Sequence, residues 1–261
     1  EISSSDWSSD VCSSDLVIPI ATEGKGECEL ADLENSHTCI QYQYSYQRQG
    51  EIESSETLLL NIFCSYWVIN RTNETLFLAG KNETPVIRLP SADISVNFAS
   101  IQPDPVTTPL QPFLFNTGSK KAVVRLRKGS SPWSPRVSLG KQNCTCVCIP
   151  AAAPFTLTDS LYSVSVKRLQ EPFTATQLIT ISPQYVFVNK TSMDLWIQQQ
   201  DQSFSLPASS CICHTEFLPG SHRLLSIKRA TSNSYSTEFD CDGSERMDVV
   251  LPGEPEDLLS V

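Results

Sequence analysis

Hydrophobic and polar residues alternate with a period of two along much of this chain. The alternation is clearest in residues 42–46 (YQYSY), 161–166 (LYSVSV), 186–188 (VFV) and 195–197 (LWI). Successive side chains of a strand point to opposite faces, so this period predicts β-strands with one buried face. Gly, Pro, Asn, Asp and Ser cluster between the runs, and 17 prolines disfavour long helices. The pattern predicts an all-β chain of the sandwich or barrel class.

The alternating pattern is itself repeated. Residues 66–72 (YWVINRT) are matched by residues 185–191 (YVFVNKT), and at the same offset LLNI at 59–62 matches LITI at 178–181. Self-similarity at a long fixed period predicts repeated structural modules. We therefore predict two tandem β-sandwich modules, at residues 38–160 and 161–261. Residues 17–37 are predicted to be the end of a preceding module or a linker.

An asparagine recurs at the same place in both repeats. Asn70 and Asn189 each follow an apolar strand and precede a basic residue and a threonine. Asparagine tolerates a left-handed backbone, and its side chain can bond the backbone two residues further on. Each is therefore predicted to fix a tight turn that leads into the next strand, LFLAG or LWIQQ. A second interpretation is that the amide lines a peptide-binding groove.

The segments YWVINRTNETLFLAG and ISPQYVFVNKTSMDLWIQQ resemble the repeats of the vacuolar protein sorting-associated protein 13 family, the bridge-like lipid-transfer proteins. The resemblance covers most of residues 42–261, in the region described as adaptor-binding or SHORT-ROOT-binding-like. It implies part of an arched array of six β-sandwich modules, each with a recurrent asparagine at such a turn. It implies no catalytic residues, no cofactor and no metal.

The same resemblance implies a targeting function. The partners would be membrane adaptor proteins that carry Pro-X-Pro peptides, together with neighbouring modules of the same full-length protein. The chain would then place a lipid-transfer protein at organelle membrane contact sites. Its location would be cytoplasmic and peripheral, with only indirect membrane contact.

The first sixteen residues need separate treatment. Residues 6–16 (DWSSDVCSSDL) resemble a translated sequencing adapter, so residues 1–16 are predicted to be a disordered, non-native segment. Without them the formal charge changes from −10 to −6, from 19 basic and 25 acidic residues. This mild acidity argues against nucleic acid as a bulk electrostatic partner. The chain has no run of eighteen apolar residues and no secretory signal, and we expect it to be an internal piece of a longer polypeptide.

Cysteine and asparagine motifs favour a different class of protein. Ten cysteines and five Asn-X-Ser/Thr sequences also fit a secreted, disulfide-bonded β-sandwich glycoprotein. The repeat turn already accounts for two of these sequences, and setting Cys12 aside leaves an odd number of cysteines. The five sequences begin at Asn70, Asn73, Asn82, Asn143 and Asn189.

The segments CTCVC at 144–148 and CICH at 211–214 also suggest a zinc site as an alternative. Structural zinc sites usually space their cysteines by two to four residues, so a one-residue gap fits poorly. Reduced thiols that act as small, partly buried hydrophobic side chains are the preferred interpretation. Alignment of Trp133 on Tyr235 places the first three cysteines over Arg246, Asp248 and Val250. A module with no thiols at those positions is therefore predicted to fold.

The histidines and one basic stretch are two further candidates for chemistry. The three histidines are scattered and no glycine-rich phosphate loop is present, so no enzyme is predicted. Residues 120–128 (KKAVVRLRK) are the densest basic stretch. With Val124 and Leu126 inward, Arg125 and Arg127 would stand on a solvated sheet face. A patch for acidic lipid headgroups or an acidic adaptor is the alternative.

Overall fold

The computed structural model describes residues 24–31, 37–48, 56–81, 86–91, 113–115, 122–140, 143–151, 158–218, 223–242, 248–251 and 257–260. Within these ranges the regular elements are all strands, which confirms the all-β prediction. The adapter-like segment and the proline-rich residues 103–105 lie outside them. In chain order the strands are β1 (Gly24–Ala31), β2 (His37–Arg48), β3 (Glu56–Phe63), β4 (Tyr66–Asn70), β5 (Leu76–Ala79), β6 (Val86–Leu89), β7 (Phe113–Phe115), β8 (Val123–Lys128), β9 (Val137–Ser138), β10 (Cys144–Ile149), β11 (Asp159–Arg168), β12 (Gln177–Pro183), β13 (Tyr185–Asn189), β14 (Leu195–Gln199), β15 (Gln202–Leu206), β16 (Ser210–His214), β17 (Glu216–Phe217), β18 (Leu224–Arg229), β19 (Phe239–Asp240), β20 (Asp248–Leu251) and β21 (Asp257–Ser260).

Two sheets enclose a first hydrophobic core. One has the strand order β10-β11-β12-β4-β7, with β17 added beside β11, and the other has the order β6-β5-β8-β9. In β11, Val164 and Val166 are buried while Ser163 and Ser165 are half-buried, as the alternation predicts. The first core consists of Val68, Leu76, Leu78, Leu89, Phe115, Ala122, Val124, Leu126, Val137, Leu139, Val147, Ile149, Tyr162, Val164, Val166, Ile179 and Ile181.

A second core repeats the plan of the first. The sheet β15-β14-β18-β19 has the same order as β6-β5-β8-β9, and the pair β13-β16 corresponds to β4-β7. Strands β20 and β21 form a further antiparallel pair. The second core consists of Leu195, Ile197, Leu206, Leu225, Ile227, Phe239, Val249 and Leu251.

Strands β11 and β12 belong to the first core although they come late in the chain. β12 runs parallel to β4, with Gln177 opposite Tyr66 and Ile181 opposite Asn70. The predicted module boundary after residue 160 marks the start of the sequence repeat, and it stays a prediction. The packing divides later, between β12 and β13, because the hairpin β11–β12 completes the sheet that β4 begins.

A third sheet of order β1-β2-β3 is antiparallel throughout. Its β3 contains the residues 59–62 that match residues 178–181 of β12. By sequence this sheet therefore corresponds to β10-β11-β12, and it precedes β4 in the chain as β10–β12 precede β13.

Candidate functional site

The Asn70 side chain closes the turn between β4 and β5. Its amide nitrogen donates to the carbonyl oxygens of Glu74 (2.8 Å), Pro90 (2.8 Å) and Leu89 (3.3 Å). Its amide oxygen accepts from the backbone N–H of Thr72 at 3.0 Å and from the Thr72 hydroxyl at 2.7 Å. The asparagine is only 4% exposed, so this one side chain ties the turn to the end of β6 inside the protein.

Asn189 makes the same set of contacts in the second repeat. Its amide nitrogen donates to the carbonyl oxygens of Met193 (2.8 Å), Pro207 (2.9 Å) and Leu206 (3.1 Å). Its oxygen accepts from the Thr191 N–H at 3.0 Å and from the Thr191 hydroxyl at 2.7 Å. Both turns are thus built by the same five hydrogen bonds, in matching directions.

These contacts bear on the two interpretations of the asparagines, as turn residues or as amides that line a peptide-binding groove. Each amide nitrogen has two hydrogens and is already shared among three carbonyl oxygens, which leaves no free donor for a ligand. Asn189 is 2% exposed, so neither side chain presents its amide to solvent. A direct contact between a peptide and Asn70 or Asn189 stays a prediction.

A second pair of matched turns joins β8 and β18 to the segments that follow them. The Ser134 hydroxyl accepts from the Leu126 N–H at 2.9 Å, and the Ser236 hydroxyl accepts from the Ile227 N–H at 3.0 Å. Both serines are buried, and their own N–H groups donate back to the same strand residues at 2.8 Å. The repeat therefore extends to buried polar contacts far from the asparagines.

Cation–π pairs lie beside these turns. The Arg127 guanidinium lies 4.6 Å from the Trp133 ring centroid and 5.3 Å from that of Phe77. The Lys228 ammonium lies 4.8 Å from the Tyr235 centroid, at the matching place. The Arg127 guanidinium therefore packs against two aromatic rings, whereas the sequence predicts a solvated side chain.

A polar cluster joins the first core to the second repeat at Glu74. The Glu74 carboxylate accepts hydrogen bonds from Lys128 (3.0 Å), from the Thr215 hydroxyl (2.9 Å) and from the Tyr162 hydroxyl. Lys128 also contacts Glu216 at 2.7 Å. Backbone pairing reinforces this joint, because β17 adds to the end of β11. Sequence reasoning missed Glu74, since the matched residue of the second repeat is Met193.

Burial sets the electrostatics of this joint. Tyr162 is fully buried, and burial together with the Glu74 carboxylate raises the pKa of its hydroxyl far above the ordinary value. Burial opposes the charge of Lys128, but its hydrogen bonds to Glu216 and Glu74 outweigh burial and raise the pKa of the ammonium. At neutral pH the cluster therefore holds a protonated tyrosine and a charged lysine around the carboxylate of Glu74.

An aromatic cluster beside the joint borders a small cavity. The His214 ring stacks on Phe204 at 4.1 Å between centroids and meets Phe187 and Phe217 edge-on at 5.9 Å and 4.9 Å. The cavity measures about 90 Å³. Aromatic, amide and hydroxyl groups thus line the same cavity. Its lining residues are Gln199, Gln202, Ser203, Phe204, His214 and Glu216.

His214 is expected to make the protein sensitive to mild acid. Burial among the aromatic rings lowers the pKa of the imidazole from its ordinary 6.5, although Glu216 and Glu74 act in the opposite direction. A folded-state pKa below the unfolded one means that the unfolded chain binds the proton first, so stability falls as pH drops below 6.5. Urea midpoints at pH 7.5 and pH 5.5 should therefore differ less in a His214→Phe variant than in the wild type. An equal difference in both proteins would contradict this role of His214.

A second ionic cluster lies at the start of β13, where Tyr185 pairs opposite His214. Arg223 donates to both carboxylate oxygens of Asp242 at 2.8 Å and to the Tyr185 hydroxyl at 2.8 Å, and that hydroxyl also bonds Asp242. Burial and Asp242 raise the pKa of the neighbouring Cys241 thiol to about 11. Burial and Asp159 raise that of Cys148 to about 11 as well. Both thiols are therefore protonated at neutral pH.

The seven cysteines whose side chains the structure describes are all free thiols. Cys144 and Cys146 are exposed, because Val147 and Ile149 take the inward positions of β10. The interpretation of these thiols as partly buried was therefore wrong for those two. Among the described residues, no group of three or more His, Cys, Asp or Glu side chains is arranged to hold a metal ion.

The described residues contain no helix that is long and apolar enough to cross a membrane.

Comparison with known proteins places the chain in a family. No curated protein gives a significant match to the sequence. The family model for the adaptor binding domain of vacuolar-sorting associated protein 13 matches residues 22–242, more than four fifths of the chain. With its repeated β-sandwich plan, the chain belongs to the vacuolar-sorting associated protein 13 family, as part of the adaptor binding domain.

Proposed function

We propose that this chain is a non-catalytic region that recognises Pro-X-Pro peptides of membrane adaptor proteins. Through them it targets a bridge-like lipid-transfer protein to organelle membrane contact sites. The match of the adaptor binding domain across both cores carries this proposal. The chain would act on the cytoplasmic side of the organelle and would touch the membrane only through its adaptor.

The cavity beside His214 is the place we propose for the peptide. Proline-rich segments bind aromatic-lined grooves, because a proline ring packs on an aromatic face and the extended backbone is already ordered. Phe204 and His214 supply such a face, stacked at 4.1 Å. Gln202 is exposed and supplies an amide that can bond a peptide carbonyl group, while Gln199 is buried and its side-chain oxygen already accepts from the Leu218 N–H at 3.0 Å. A cavity of about 90 Å³ has room for a proline ring.

Asn70 and Asn189 have a supporting role in this proposal. Their amides are fully used within the two turns, so they fix the scaffold that carries the aromatic cluster. Asn189 does this most directly, because it pairs opposite Ser210 at the end of the strand that carries His214. Loss of binding in an Asn189 variant would therefore report a damaged turn and not a lost peptide contact.

Peptide binding can be tested with a variant that fills the cavity from outside. Fluorescence anisotropy with labelled Pro-X-Pro peptides, and with Ala-X-Ala versions as controls, should show binding of some Pro-X-Pro peptides only. Ser203→Arg places a long side chain at the rim and should weaken binding at least tenfold. Ser205→Arg is the matched control, because Ser205 is exposed on the same strand and lies outside the cavity lining.

Two results would refute parts of the proposal separately. If no Pro-X-Pro peptide binds, peptide recognition by these two repeats is wrong. If peptides bind but Ser203→Arg and Ser205→Arg behave alike, the function stands and the assigned cavity is wrong. Recruitment of a fluorescently tagged chain to a contact site should then require an adaptor whose Pro-X-Pro motif is intact.

A further inference from the structure

The outer face of the sheet β6-β5-β8-β9 is positively charged. Its four strands contain three arginines, one lysine and no Asp or Glu. In β8 the side chains of Val124 and Leu126 are buried in the first core, so the alternating Arg125 and Arg127 lie on the opposite face. The sheet therefore has an apolar inner face and an arginine-rich outer face.

Two of these arginines flank Phe77 in one row across the sheet. Arg88 of β6 and Arg127 of β8 both pair opposite Phe77 of β5. Neighbouring strands lie about 4.8 Å apart, so the two arginines are roughly 10 Å from each other along the row. The Arg127 guanidinium lies against the rings of Phe77 and Trp133, while Arg88 is exposed. The row thus presents two positive charges on either side of an aromatic side chain.

The chemistry of this row suits a carboxylate ligand. A planar guanidinium can donate two parallel hydrogen bonds to one carboxylate, and stacking on aromatic rings orders the Arg127 side chain before it does so. Neither Arg88 nor Arg127 forms an ion pair with a residue that the structure describes. Both charges are therefore available to a partner.

The matching face of the second repeat lacks the arginine pair. There Ser205 of β15 and Lys228 of β18 pair opposite Trp196 of β14. A serine thus stands at the place of Arg88, and a lysine stands at the place of Arg127. Because the same arrangement of strands forms without two arginines, the fold does not require them.

We propose that this face binds an acidic segment of a partner protein, whose carboxylates pair with Arg88 and Arg127. The chain as a whole has a formal charge of −10, so an acidic partner is repelled by most of the protein and is steered to this basic face. The arrangement favours a protein segment over a membrane surface, because Phe77 and Trp133 pack on Arg127 and are not presented for insertion among lipids. The inference does not depend on the recognition of Pro-X-Pro peptides.

Charge changes on this face test the proposal. The probe is a fluorescently labelled peptide of alternating glutamate and serine, and a version with glutamine in place of glutamate is its uncharged counterpart. Arg88→Glu should weaken binding of the acidic peptide at least about tenfold. Arg127→Lys keeps the charge but cannot donate two parallel bonds, so it should weaken binding by a smaller factor. Lys167→Glu is the matched control, because it makes the same change of charge at an exposed position on the other sheet of the first core.

Fluorescence anisotropy provides the affinities, and circular dichroism checks that each variant is folded. The wild type and Lys167→Glu should bind the acidic peptide, more weakly as salt is added, and should not bind the glutamine version. No binding of the acidic peptide to the wild type would overturn the proposal, as would equal affinity for the two peptides. Equal losses in Arg88→Glu and Lys167→Glu would also overturn it, because the effect would then come from net charge. Binding of the wild type to phosphatidylserine vesicles but not to the acidic peptide would instead make this face a membrane contact.

Discussion

Replacement of Asn70 by alanine is expected to lower the free energy of unfolding by about 3–5 kcal/mol. The change removes five hydrogen bonds at once and leaves the Leu89 carbonyl and the Thr72 N–H without partners in the interior. A buried polar group without a partner costs about 1–3 kcal/mol, and the carbonyls of Glu74 and Pro90 recover part of their loss from water. Urea unfolding followed by circular dichroism measures the difference.

Asn73→Ala is the matched control for this variant. Asn73 lies in the same turn but is exposed, so the same substitution should change stability by less than about 0.5 kcal/mol. Asn189→Ala should behave like Asn70→Ala, because its contacts agree with those of Asn70 to within about 0.2 Å. If Asn70→Ala costs no more than Asn73→Ala, the turn network is not a source of stability.

Much of the fold follows from local pattern. Alternation placed Val164, Val166, Leu195 and Ile197 inward, and all four are buried. The strand that ends at each recurrent asparagine was also evident, because turn chemistry is local and an amide that bonds the backbone two residues on leaves a sequence signature. Local rules of this kind need no knowledge of distant contacts.

The phase of the repeat could not be read in the same way. A periodic sequence looks the same wherever counting begins, so it cannot tell whether the hairpin β11–β12 closes the preceding core or opens the next. The structure places this hairpin in the first core, through parallel pairing of β12 with β4. That pairing joins residues more than a hundred positions apart, and only packing determines it.

The aromatic cavity and the Glu74 joint were hidden for a related reason. Glu74 meets Tyr162 and Thr215 across 88 and 141 residues of sequence. Comparison of the repeats works against finding it, because Met193 occupies the matching place. His214 was noticed as part of a weak zinc motif, yet its ring packs on aromatic neighbours. A lone acidic residue before an apolar strand, as at Glu74, is the only sequence signal that this joint leaves.

Glu74→Ala is expected to destabilise the joint between the repeats by about 2–4 kcal/mol. The variant leaves the buried hydroxyls of Tyr162 and Thr215 without their acceptor, and each such loss costs about 1–3 kcal/mol. Lys128 contributes little, because its side chain is 32% exposed and keeps its contact with Glu216. Hydrogen exchange should rise first at Thr215 and along the short pairing of β17 with β11.

Two further variants separate the joint from a general loss of charge. Glu216→Ala removes the other carboxylate that contacts Lys128, but that side chain is 53% exposed, so the cost should stay below about 1 kcal/mol. Tyr162→Phe deletes the hydroxyl partner of Glu74 and completes a double-mutant cycle with Glu74→Ala. Because the two groups share a buried contact, the double variant should be less destabilised than the sum of the single variants, by about 1 kcal/mol or more. Strict additivity would mean that Glu74 and Tyr162 act independently.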